Sequence, residues 1–225
     1  MSEDVSLYGG PAGGAMADTV AWWRSDFGNE YTARNALTPE RVQRQARLWS
    51  DILKPVLVEG PPGFVHPPQS VMEVGANVGI NLAALRSHLI GSRFFAVEPN
   101  DLARGTLIDS GIVDELDAYS GLDDAIGTVD LIFSAGVLIH IPPDELLGFC
   151  RRIHDHAGRW IVAIEYFSKE PREVPYRGHA GKLFTRDFGS FYLDNFPDLK
   201  PVACGFCWKI LTGLDDVTWW LFERG

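Results

Sequence analysis

Cysteine is scarce in this chain: Cys150, Cys204 and Cys207 are the only three in 225 residues. An odd, low count excludes the evenly paired framework of a disulfide-stapled secreted domain and fits a reducing compartment. Basic residues are also in deficit. There are 20 Lys and Arg against 30 Asp and Glu, a formal net charge of −10 with a pI near 5.0. Such a surface disfavours a tight hold on a phosphate backbone, so nucleic acid is not an expected partner. No apolar run approaches the roughly 20 residues that span a bilayer, which sets the membrane aside. The opening MSEDVSLYGGPAGG has neither the basic flank nor the apolar centre of a signal peptide, and reads as a flexible tip on a cytoplasmic protein. Internal repeats and low-complexity segments are missing as well. The expected partner is a small-molecule substrate, and the chain is expected to act as a monomer or homodimer.

Two patterns suggest metal or redox chemistry and do not sustain it. Cys204-Gly-Phe-Cys207 has the right spacing, but Pro201–Leu211 reads as a strand, where residues three apart face opposite sides. A redox pair needs a helix start, and zinc needs a second ligand pair. His154 and His156 read as a solvated helix end. No metal is expected.

What is present is a folded composition, 46% hydrophobic and 12% aromatic, in a chain long enough for one large α/β domain. Its most telling stretch is Val71–Leu85, VMEVGANVGINLAAL, which reads as strand, glycine turn and helix. Glu73 stands at the strand end, followed by Gly75 and Gly79. A second short strand, Phe94–Val97, ends in Glu98. A dinucleotide turn is G-x-G-x-x-G, whose close glycines admit a pyrophosphate. Here the pattern is E-x-G-x-x-x-G. A carboxylate facing the turn repels pyrophosphate and suits a cationic ligand. S-adenosylmethionine (SAM) is such a ligand, with an adenosine, a sulfonium and a free ammonium. Glu98 would accept hydrogen bonds from its two ribose hydroxyls.

Residues 1–60 read as a helical cap or lid, and 61–225 as the SAM-binding α/β body. Helix is expected from about Ala15 to Leu57, with a break at Phe27-Gly28-Asn29 and a restart at Thr38-Pro39-Glu40. Glu59–Pro68 is a proline-rich linker. Then follow a helix near Leu102–Ser110, strands near Glu115–Tyr119 and Val129–Ser134, a helix over Asp144–His154 and a strand over Trp160–Glu165. This alternation implies a doubly wound, mostly parallel sheet. Pro201–Leu211 and Thr218–Glu223 leave no room for a helix between them and are expected to close the sheet as an antiparallel hairpin.

The whole chain resembles the class I SAM-dependent methyltransferase superfamily, and within it the pseudaminic acid biosynthesis-associated methylases. The carrying segments are FGNEYTARN (Phe27–Asn35), EVGANVGINLAAL (Glu73–Leu85), VEPN (Val97–Asn100), SAGVLIHIPPDEL (Ser134–Leu146), EYF (Glu165–Phe167), PYRG (Pro175–Gly178) and KLFTRDFG (Lys182–Gly189). The resemblance implies a Rossmann-like, seven-stranded sheet and SAM as cofactor. It implies no particular acceptor. A similar scaffold occurs in enzymes that consume SAM without transferring its methyl, such as azetidine-2-carboxylate synthases.

The crevice is expected beyond the carboxyl ends of the strands. Glu73, Gly75, Asn77, Gly79, Glu98 and Pro99 would hold the cofactor, with Ser120 and Leu122 near the adenine and Ser134 and Gly136 near the methionine tail. His140 is a candidate base. Tyr31 and Tyr176 would line the sulfonium pocket by cation–π attraction. Arg34 would clamp a carboxylate of the cofactor. Arg177, Tyr166, Glu165 and Lys182 would meet the substrate. The tryptophans are expected mostly in the core. The function expected is O- or N-methylation of a small, anionic metabolite. The alternatives are a SAM-consuming cyclase or lyase that releases methylthioadenosine, and a non-catalytic SAM-binding module.

Overall fold

The computed structural model describes residues 14–58, 67–122 and 126–225. The tip expected at the start and most of the linker at 59–68 lie outside the described residues. Among the described residues nine strands run in chain order: β1 (Ser70–Val74), β2 (Arg93–Val97), β3 (Ala118–Tyr119), β4 (Val129–Ala135), β5 (Ala157–Glu165), β6 (Arg172–Glu173), β7 (Phe184–Thr185), β8 (Leu199–Cys207) and β9 (Val217–Arg224). Seven form one sheet in the order β3-β2-β1-β4-β5-β9-β8. The first five are parallel, and β9 and β8 pair antiparallel to finish the edge. β6 and β7 form a separate small ribbon.

Eight helices accompany them among the described residues: α1 (Ala15–Arg24), α2 (Asp26–Arg34), α3 (Pro39–Val58), α4 (Ile80–Leu85), α5 (Asp101–Asp109), α6 (Leu146–His156), α7 (Phe188–Asn195) and the single turn α8 (Lys209–Thr212). Neighbouring residues on the parallel strands feed opposite layers, as a side-chain period of two requires. Val71, Leu131 and Val162 pack with Leu48, Trp49, Ile52 and Leu53 of α3. Met72, Ile132 and Ile161 pack with Phe149 and Ile153 of α6 and Tyr192 of α7. Thus α3 shares the core of the sheet, and only α1 and α2 are left to stand over the strand ends.

Several local expectations change for identifiable reasons. The break in the first helical stretch falls at Ser25, whose hydroxyl caps α2 at Phe27 N (3.3 Å), and Gly28 lies inside the helix. Helix α6 starts later than expected because Glu145 N donates to Pro142 O (2.9 Å), closing a turn with Pro143 at its second position. The segment before β3 is a short 3-10 turn, Glu115–Asp117. The strand expected to reach Leu211 stops at Cys207. There Asp216 Oδ1 accepts Lys209 N (2.7 Å) and winds α8 between the two hairpin strands. Cys204 is exposed and Cys207 buried, on opposite sides as read.

His154 and His156 are not a solvated helix end. Both are buried. His154 Nε2 lies 2.9 Å from both carboxylate oxygens of Asp198, and Arg224 Nε donates to Asp198 Oδ2 (3.1 Å), so the trio bolts α6 to the last strand. His156 Nδ1 contacts Gly127 O at 2.9 Å.

The α1–α2 pair is fastened to the loop after β2. Arg24 Nε donates to Pro99 O (3.1 Å), and Asn100 Nδ2 donates to Trp23 O (3.0 Å) and Asn29 Oδ1 (2.9 Å). Gly28 makes the close approach possible: a Cβ there would stand 1.7 Å from Trp23 O and 2.9 Å from Asn100 Nδ2. Gly28→Ala is therefore expected to unseat the pair. Limited proteolysis should cut the 15–38 region faster, and urea unfolding should show a loss of about 1–3 kcal/mol.

Candidate functional site

The site grows from the turn between β1 and α4. Gly75, Asn77 and Gly79 all have positive φ (77°, 48° and 80°). Gly75 N and Ala76 N donate to Val97 O at 2.7 and 3.1 Å, which ties the turn to the end of β2. The two glycines are needed for space as well as for conformation. A Cβ at Gly75 would lie 2.4 Å from Val137 Cγ2, and one at Gly79 would lie 2.3 Å from Leu107 Cδ1.

Two carboxyls flank this turn. Glu73 is buried, and its Oε1 accepts Asn81 Nδ2 (2.7 Å). Asn81 Oδ1 in turn accepts the indole N–H of Trp49 (3.2 Å), so a core side chain of α3 sets the amide that sets the acid. Glu73 Oε2 is buried without a partner, as is Asn77 Oδ1. Burial, and secondarily the neighbouring Glu98, holds the Glu73 carboxyl well above the usual range. Glu98 Oε2 accepts Asn77 N (2.7 Å), and its Oε1 accepts Asn100 N (2.8 Å). Burial pushes it up to about 7 despite these donors. Each Glu98 oxygen keeps a lone pair for another donor.

The turn, both acids and the inner faces of α1 and α2 enclose a cavity of about 200 Å³. Trp23, Tyr31, Val20 and Met16 close it from the helices, while Pro99, Asn100, Gly136, His140 and Phe149 complete the wall. Burial pushes the Tyr31 hydroxyl up to about 12. His140 Nδ1 lies 2.6 Å from Lys182 O. A carbonyl only accepts, so Nδ1 carries the proton and Nε2 presents a lone pair. Burial also pushes the ring down to about 4, so it stays neutral. The ring is wedged edge-to-face between Trp23 and Tyr176, at centroid distances of 5.0 and 4.9 Å.

Glu165 serves this wall from behind. It is fully buried, and its Oε1 accepts Ser134 Oγ (3.0 Å), Val137 N (3.2 Å) and Leu138 N (3.0 Å). It clamps the loop that carries Gly136 and His140 and does not face the cavity.

Of the residues expected at the site, Glu73, Gly75, Asn77, Glu98, Pro99, Gly136, Tyr31 and His140 come together at the cavity, with Gly79 just behind the turn. The others do not line it. Ser134 is spent on Glu165. Leu122 is core, and neither it nor Ser120 reaches the wall. Arg34 pairs with Glu30 (3.6 Å) on the exposed side of α2. Tyr166 donates to Asp215 (3.2 Å). Tyr176 packs behind His140, Arg177 is exposed with its guanidinium 5.6 Å from the Tyr176 ring, and Lys182 Nζ sits 5.1 Å from the Trp22 ring. The basis for an anionic substrate is thus not found at the wall. Trp23, Asn81 and Asn100 were not foreseen. Asn100 was readable as the cap of α5, which it is through Ala103 N (2.9 Å), but its grip on α1 and α2 has no local signature.

The sheet order and the site at its carboxyl edge define a Rossmann-like, class I methyltransferase fold. The chain is similar to a 1,6-didemethyltoxoflavin-N1-methyltransferase of Burkholderia thailandensis, solved with its substrate and S-adenosylhomocysteine (17% identity, 94% and 91% of the two chains, TM-score 0.66). It is also similar to the magnesium protoporphyrin IX methyltransferase of Synechocystis PCC 6803 with bound SAM (14% identity, 93% and 96%, TM-score 0.61), and to the plantazolicin methyltransferase with S-adenosylhomocysteine (12% identity, 92% and 94%, TM-score 0.61). No family model and no curated protein matches the sequence.

Removing the clamp should be costly. Glu165→Ala would leave a hydroxyl and two backbone N–H groups without their acceptor. It is expected to lower stability by roughly 2–4 kcal/mol in urea unfolding. An unchanged midpoint would refute the clamp.

Proposed function

We propose that the chain is a SAM-dependent enzyme, a methyltransferase of small molecules, related to the pseudaminic acid biosynthesis-associated methylases it resembles. The observation that carries this is the pair of buried carboxyls around a glycine turn, one with an oxygen left unpartnered. A pyrophosphate would meet repulsion there, whereas a nucleoside with a cationic amino-acid tail meets acceptors. The residues fit SAM. Glu98 would accept the ribose hydroxyls. Glu73 Oε2 and Asn77 Oδ1, both orphaned, would accept from the ammonium. Tyr31 and Trp23 would face the cation. The similar structures, solved with SAM or S-adenosylhomocysteine bound, support the same assignment.

When bound, SAM supplies an electrophilic methyl on a sulfonium. The chain's own contribution is placement and exclusion of water, the main tools for an in-line displacement. The α1–α2 pair roofs the cavity with Trp23, Tyr31, Val20 and Met16. The Glu165 clamp fixes the loop opposite. His140 offers a hydrogen-bond acceptor of fixed orientation.

A second reading, a SAM-consuming cyclase or lyase, is favoured by one feature. The roofed cavity, at about 200 Å³, is small beside the roughly 300–1,000 Å³ common for ligand pockets, which leaves little room for a separate acceptor. Incubation with SAM alone separates the readings. Methylthioadenosine points to chemistry on the tail. S-adenosylhomocysteine formed only with an acceptor points to methylation.

Glu98→Ala is expected to weaken SAM binding by about 1–3 kcal/mol, since two hydroxyls lose their acceptor. Unchanged affinity in calorimetry would refute the assignment. The raised carboxyls also predict proton release. A cation and two hydroxyl donors lower the Glu98 value from about 7, so binding near neutral pH should expel a fraction of a proton. Binding enthalpies in buffers of different ionisation heat should then differ. Equal heats would contradict ionisation on binding.

A further inference from the structure

The cavity wall restricts the nucleophile. Among the described residues it carries two carboxyls and no Lys or Arg. An anionic acceptor would therefore enter against Glu73 and Glu98 with no cation on the wall itself, Arg177 and Lys182 lying behind Tyr176 and Trp22. A hydroxyl acceptor must lose its proton as it reacts, and so needs a base. The wall has none to spare. Glu73 and Glu98 are committed to the cofactor in the reading above. The Tyr31 phenol is held protonated by burial, with its value pushed up to about 12. His140 has its Nδ1–H tied to Lys182 O, and burial keeps the imidazolium from forming, so Nε2 can accept a hydrogen bond but not keep a proton. An amine that enters unprotonated, having left its proton in bulk water, needs no base at the site: it attacks with its own lone pair, and its N–H can donate to a neutral imidazole.

We propose that the site acts on a neutral amine nitrogen, which donates an N–H to His140 Nε2 and attacks a carbon bonded to the sulfonium. This rests on the SAM reading of the previous subsection. As the N–C bond forms, the C–S bond breaks and its electron pair stays on sulfur. The positive charge passes from sulfur to nitrogen, and no N–H bond breaks in that step. The number of cationic centres in the cavity is thus the same before and after, against the same two carboxyls and the rings of Trp23 and Tyr31. The product ammonium loses its proton to water on release. The amine is that of a separate substrate, which takes the methyl, because the α-amino group of the bound ligand is held as an ammonium at Glu73 and has no lone pair to attack with.

Three measurements test this. Nitrogen NMR of the His140 ring in the ligand-free protein should give a neutral imidazole, protonated at Nδ1, from about pH 8 down to about pH 5. A ring protonated at Nε2, or one titrating near the ordinary value of about 6.5, would overturn the proposal. Second, protein shown by calorimetry to bind SAM is given methyl-deuterated SAM and a cell metabolite extract, and the products are mapped by mass spectrometry. Label on nitrogen supports the proposal through an external amine. Methylthioadenosine with a new intramolecular C–N bond overturns it in favour of the cyclase or lyase reading and leaves SAM binding standing. Label on oxygen, sulfur or carbon overturns it and leaves the SAM reading standing, and bound SAM that is never consumed overturns it too. Failure to bind SAM at all rejects the underlying reading, and this proposal falls with it. His140→Phe keeps the ring wedged between Trp23 and Tyr176 but removes the acceptor. It should cost about tenfold in kcat/KM for the amine with SAM affinity unchanged; an unaffected kcat/KM would remove His140 from the proposal.

Discussion

Two carboxyls buried at the ends of adjoining parallel strands are the constraint around which this molecule is arranged. Burying an acid costs free energy unless donors or a cation meet it. Glu98 is met by two backbone N–H groups, and one of them, Asn77 N, is available only because the turn passes through positive φ. Glu73 is met on one side by Asn81, and its other oxygen is left over. The fold therefore carries a local deficit of positive charge and of donors at one point of its surface layer. A ligand that brings both repairs that deficit, and this is the physical content of the SAM reading.

The same loop that presents Glu98 also holds the roof. Within four residues, Glu98 accepts Asn100 N, Pro99 O accepts from Arg24, and Asn100 caps α5 while donating to Trp23 and Asn29. The Glu98 acceptor, the cap of α5 and the attachment of the α1–α2 pair are one hydrogen-bonded unit. On the opposite wall Glu165 plays a comparable part, gathering Ser134, Val137 and Leu138 so that His140 meets the cavity in one orientation. The chemistry this permits is placement in a roofed, acceptor-lined space. It offers little proton transfer, because the histidine is a poor base where it stands.

The fold was legible in the sequence because parallel strands buried on both faces read as apolar runs, and their acids and glycines fall at the ends. Glu73, Gly75, Gly79 and Glu98 follow from that pattern alone. What was not legible depended on long-range approach. Arg34 and Arg177 looked like clamps because they lie in loop-rich, aromatic segments, but α2 turns Arg34 toward Glu30 and solvent, and Arg177 lies exposed beside Tyr176. Glu165 looked like a substrate contact because it ends a core strand, yet the loop after the neighbouring strand β4 wraps over its end and consumes it. Trp23 looked like core and is instead part of the roof, since the partner that holds its backbone, Asn100, is 77 residues away. His154 looked solvated because Asp198 and Arg224, which enclose it, come from the far end of the chain.

The most direct test of the central claim is a comparison of equilibrium affinities for three ligands that share an adenosine: SAM, S-adenosylhomocysteine and NAD. The carboxyl pair predicts measurable binding of the first two and none of the pyrophosphate-bearing dinucleotide. NAD binding as tight as SAM binding would contradict it, whatever the outer loops do.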